Sequence, residues 1–131
     1  MGKEEMLMTF IAALISGLIA TIISNMYYSK QKKLQKKIDL LDDIFGYRYQ
    51  LAEGYTGTQS DIIRALNRIP IVFAKSKEII KGFYEYHQAI QSSQDANDRF
   101  VSLLKNMCLE IGVDSKGWND SYVKAVFSAK K

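Results

Sequence analysis

The sequence is poor in the residues that build zinc centres, disulfides and cysteine–histidine active sites. Its 131 residues include one cysteine, one histidine, one proline and one tryptophan. A lone cysteine, Cys108, excludes an intrachain disulfide and fits a reducing compartment. Cys108 and His87 fall well short of the four ligands of a structural zinc site. They are the only pair that suggests a nucleophile and its base, and both fall on apolar helix faces, where packing explains them. No segment shows a convincing period of two, and no internal repeat or low-complexity tract is present. The expectation is an all-α chain with no enzymatic activity, no cofactor and no metal.

What the chain does have is one long apolar run. Met6 to Ser29 carries no charged residue and exceeds the roughly 20 residues needed to cross a hydrocarbon core. A transmembrane helix is expected over residues 1–29. A cleaved signal peptide wants a basic start and a shorter apolar core, whereas this run follows Lys3, Glu4 and Glu5. The opening Met-Gly does not make a myristoylation motif, because position 6 is Met rather than Ser or Thr. Lys30, Lys32, Lys33, Lys36 and Lys37 follow the run, so the positive-inside rule predicts an outside N-terminus and a cytoplasmic remainder in a bacterial inner membrane. These lysines are expected to lie on anionic lipid. Membrane proximity explains them without nucleic-acid binding. Tyr27 and Tyr28 suit the headgroup level.

Small residues recur within the run at Ala13, Gly17, Ala20 and Ser24, a spacing that lets helix backbones approach closely in lipid. The same alternating step of four and three continues through Tyr27, Gln31, Leu34, Ile38, Leu41 and Phe45. It predicts a continuous helix from about Leu7 to about Phe45, with residues 30–45 as a basic stalk and this stripe as a seam between copies. Packing of the 34–45 stripe on the chain's own helices is the alternative. Ser16, Thr21, Ser24 and Asn25 are candidates to line a narrow polar path in such an oligomer. A hydroxyl bonded back to the preceding turn is the plainer account of each one.

Residues 46–131 read as a small helical domain. Gly54 and Gly57 mark a loop, with Thr58 or Ser60 as a helix cap. Ile62, Ile63, Leu66 and Ile69 make one apolar face, interrupted at Pro70. Ile79, Ile80, Phe83, His87 and Ile90 predict a second helix, capped by Ser76. Phe100, Leu103, Leu104, Met107, Cys108 and Ile111 predict a third, closed by Gly112. Trp118, Tyr122, Val126 and Phe127 predict a last one. Asp39, Asp42 and Asp43 read as a solvated face. Arg48, Arg64, Arg68 and Lys75 are candidates to receive an anionic ligand, with Arg64 and Arg68 on one helix face.

Several of these stretches carry a resemblance. Leu41-Asp-Asp-Ile-Phe45 with Arg48, Ala65-Leu-Asn-Arg-Ile-Pro-Ile-Val-Phe73, Phe83-Tyr-Glu-Tyr86, and Leu103-Leu-Lys-Asn-Met107 leading to Gly112 resemble an uncharacterised family of small bacterial membrane proteins. Its members have one N-terminal span, a basic stalk and a helical cytoplasmic domain. Proteins of this build are similar to membrane effectors of antiviral defence operons. The resemblance implies a homo-oligomer that permeabilises the membrane when its cytoplasmic domain receives a signal. That signal would be an operon-encoded partner protein or an anionic nucleotide or oligonucleotide. A passive anchor that tethers a partner at the membrane is the alternative function.

Overall fold

The computed structural model describes residues 2–115, 117 and 118. They form helices α1 (Lys3–Tyr47), α2 (Ser60–Asn67), α3 (Ile69–Val72), α4 (Lys77–Gln91) and α5 (Asn97–Ile111), with a 3-10 turn at Arg48–Leu51. There is no strand among the described residues. The expected last helix beyond Trp118, with Tyr122, Val126 and Phe127, lies outside them.

The chain divides into two compact units, Met1–Gln35 and Lys36–Lys131. The first contains the apolar part of α1, in which every side chain from Met6 to Tyr28 is exposed. The second begins within the segment that the sequence marks as a stalk. Leu40, Leu41 and Ile44 are buried in its core, so residues 36–45 belong to the helical unit. Apolar surface explains this placement, because burying a leucine or isoleucine contributes about 1.5–3 kcal/mol.

Each helix of the second unit gives one face to that core. Ile62 and Ala65 come from α2, Ile69 from α3, and Phe73 from the turn after α3. Pro70 ends α2 and starts α3, where its missing N–H costs nothing. Ile63 is exposed, not packed with Ile62 as the sequence suggests.

Helices α4 and α5 make an antiparallel hairpin. Tyr86 and Phe100 stack across it with ring centroids 5.4 Å apart, and Arg99 donates to Glu85 at 2.8 Å. The face of α4 that enters the core is Ile79, Tyr86 and Ala89, with Phe83 half-buried. That is one residue away from the expected His87 and Ile90, both of which are exposed. Two turns of about 3.6 residues from Ile79 reach Tyr86, so Tyr86 shares the inward face and His87 is turned roughly 80° away from it.

Two helix ends close with the same paired bonds. Val113 N–H reaches the Cys108 carbonyl and Gly112 N–H the Leu109 carbonyl. Gln94 and Ser93 repeat this on Ala89 and Ile90. Both closures need a left-handed residue, supplied by Gly112 at φ 83° and, unusually, by Ser93 at φ 56°.

Candidate functional site

The apolar stretch of α1 presents Ala13, Gly17, Ala20 and Ser24 along one face. A Cβ built on Gly17 meets no atom within 4 Å, so the position is open to a neighbouring helix. The Thr21 hydroxyl donates to the Gly17 carbonyl at 2.9 Å, and Thr9 donates to Glu5 in the same way. Back-bonding occupies the polar group of Thr21 locally. Ser16, Ser24 and Asn25 are exposed on the helix.

Of the lysines expected on lipid, Lys30, Lys32, Lys33 and Lys36 are exposed. Lys32 sits 4.8 Å over the Tyr28 ring, a cation–π contact one turn back along the helix. Lys37 departs from the expectation. Its ammonium lies 3.2 Å from Glu110 and 5.6 Å from the Phe73 ring centre, and Ser76 also donates to Glu110. Helix α5 brings that carboxylate to Lys37, so this lysine is spent inside the helical unit.

The expected seam divides in the same way. Leu34 and Ile38 are exposed, whereas Leu41 is buried in the chain's own core and Phe45 packs on its edge. The Phe45 and Trp118 rings meet edge to face at 5.6 Å. Core burial removes Leu41 from any contact with a second copy in this conformation.

The cationic candidates differ in their partners. Arg68 donates to Asp43 at 2.7 Å, which also takes Asp43 out of the purely solvated set. Arg48 donates to the Phe45 carbonyl at 2.7 Å and lies over the Phe45 ring. Arg64 and Lys75 are exposed. Among the described residues, no group of three His, Cys, Asp or Glu side chains is placed to hold a metal ion. Cys108 is fully buried, and burial pushes its thiol pKa up, which suppresses the reactive thiolate.

One polar residue escapes a reading of the sequence. Gln50 is buried, accepts from the Ile62 N–H at 2.9 Å and donates to Asp61 at 3.2 Å. Gln59 donates to the Gln50 carbonyl at 2.8 Å. Gln59 occupies the cap position of α2 but makes no side-chain cap bond there, and neither does Ser76 at α4. The cap of α2 comes instead from the 3-10 turn. A cap donated across a twelve-residue separation leaves no local spacing signal.

The fold and these surfaces define an all-α protein in which, among the described residues, one helix near the N-terminus is long and apolar enough to cross a membrane. The chain belongs to a family of unknown function, DUF6680, whose sequence profile matches residues 1–118. No curated protein matches the chain. No solved structure matches it either.

Proposed function

We propose that this is a single-span inner-membrane protein that acts without catalysis. Copies associate through the Ala13, Gly17, Ala20 and Ser24 face of α1, and the helical unit governs their packing. The outcome is permeabilisation of the membrane in antiviral defence, with a cytoplasmic signal from a partner protein or an anionic ligand. The supporting observation is the apolar part of α1, none of which is buried in the fold. Such a surface calls for lipid or other copies of itself. The open position at Gly17 favours copies on that face. The lysine run after the span supports an outside N-terminus and a cytoplasmic helical unit. Arg64 and Lys75 are the cations open to an anionic signal; Arg68 would first have to leave Asp43.

Dye uptake by bacteria expressing the full chain tests this. Uptake is expected with the wild type and falls to background with Gly17→Leu at equal membrane level. No uptake from the wild type, or undiminished uptake with Gly17→Leu, contradicts it.

A passive anchor is the second reading. Back-bonding of Thr21 to Gly17 favours it, because a hydroxyl so engaged offers less to a polar path. A wild-type protein that reaches the membrane yet passes no dye supports the anchor.

A further inference from the structure

The inner end of the apolar run carries a shallow groove of about 480 Å³, lined by Ile22, Asn25, Met26, Ser29, Lys30 and Lys33 of α1. All six are exposed, and all belong to the first compact unit. The lining changes along the helix axis. Ile22 and Met26 lie within the charge-free run, and Lys30 and Lys33 lie just past its end. Ile22 and Lys33 are about 16 Å apart along the axis. An apolar foot, a carboxamide and a hydroxyl, then two cations follow the order of a phospholipid from acyl chain to phosphate.

We propose that this groove holds one anionic glycerophospholipid, its acyl chain along Ile22 and Met26 and its phosphate between Ser29, Lys30 and Lys33. The inference rests on reading α1 as a membrane span, and it holds whether or not copies associate. Three observations single out this face. Lys30 and Lys33 are neighbours on the helix surface, and neither makes an ion pair among the described residues. Two other lysines are engaged elsewhere, Lys32 over the Tyr28 ring and Lys37 with Glu110. The polar groups of the groove are also open. The side chains of Asn25 and Ser29 make no hydrogen bond among the described residues, whereas the Thr9 and Thr21 hydroxyls are held by carbonyls one turn back. A donor at headgroup depth gains most from a charged acceptor, which a phosphodiester supplies. The third observation is direction. Ser29 and Lys33 lie roughly 140° and 180° around the helix from Ser24, so the groove stays open to lipid when another copy covers the Gly17 face.

Native mass spectrometry of the full chain, released from nanodiscs of phosphatidylethanolamine and phosphatidylglycerol, reads the retained lipid. One phosphatidylglycerol per chain is expected for the wild type, in several-fold preference over phosphatidylethanolamine. Lys30→Gln with Lys33→Gln is expected to lose it. Lys32→Gln with Lys36→Gln removes the same charge outside the groove and is expected to keep it. Ser29→Leu fills the groove at unchanged charge and is expected to weaken retention several-fold. Equal loss in the two double variants, or full retention in Ser29→Leu, overturns the proposal and leaves the lysines as diffuse charge. Flotation on liposomes of the same lipids separates the two readings. A chain that floats yet keeps no phosphatidylglycerol overturns the groove alone, and a chain that stays in the aqueous fraction overturns the span and the groove together.

Discussion

The side-chain oxygen of Gln50 accepts the backbone N–H of Ile62 at 2.9 Å, tying the turn after α1 to the first turn of α2. Gln50 is 2% exposed, so water cannot replace it. Gln50→Leu removes the acceptor while leaving the Ile62 N–H buried. An unmet buried donor costs about 1–3 kcal/mol. Thermal unfolding followed by circular dichroism is expected to show a loss of that size, and an unchanged melting temperature contradicts the cap.

Ser93 is the one non-glycine residue with positive φ among those described. Left-handed backbone costs an ordinary residue about 1–2 kcal/mol, of which glycine's greater unfolded freedom returns part. Ser93→Gly is expected to stabilise the helical unit by about 0.5–1 kcal/mol. Denaturant titration checks it. Ser93→Val should shift the midpoint the other way.

Lys37 and Arg68 offer a comparison between two ion pairs. The Lys37–Glu110 side chains are 27% and 28% exposed, and Lys37 also faces Phe73. The Arg68–Asp43 side chains are 42% and 40% exposed. Exposed pairs contribute roughly 0–1 kcal/mol, and a partly desolvated cation–π contact adds about 0.5–1. Lys37→Ala is therefore expected to destabilise by about 1–2 kcal/mol and Arg68→Ala by under about 1. Equal losses in thermal unfolding contradict the ranking.

Where a segment's own period decided its partners, the sequence was legible. The run from Met6 to Ser29, the α5 face ending at Cys108 and Ile111, the break at Pro70 and the stop at Gly112 arise from local chemistry. Positions decided by a distant partner were not. Lys37 reads as one more juxtamembrane lysine until α5 brings Glu110 to it. Arg68 reads as a free cation until α1 supplies Asp43. Leu41 fits the seam by spacing, and only the presence of the core shows that it faces inward. His87 and Tyr86 are neighbours, and a shift of one residue in how α4 meets α5 exchanges core for solvent. The seam, the polar path and the signal site depend on the chain's surroundings, which no spacing within it specifies.

Tyr86 predicts an alkaline limit to stability. Burial pushes its pKa from the ordinary 10.0 up to about 12. The folded state thus holds the phenol proton more tightly than the unfolded chain does. Its contribution is complete below pH 10 and is lost as pH rises from 10 toward 12, on the order of 2 kcal/mol in all. Cys108 acts with the same sign from its ordinary value of 9.0 upward. Tyr86→Phe is expected to flatten the fall in melting temperature above pH 10. An equally steep fall in the variant contradicts this assignment.

Association of copies through the Ala13–Gly17–Ala20–Ser24 face is tested most directly by counting copies in a bilayer. The full chain, labelled with one fluorophore and reconstituted at high dilution in lipid, is bleached one molecule at a time. Several bleaching steps per spot are expected for the wild type, and a single step for Gly17→Leu. Single-step bleaching of the wild type, or multiple steps that survive Gly17→Leu, would contradict it.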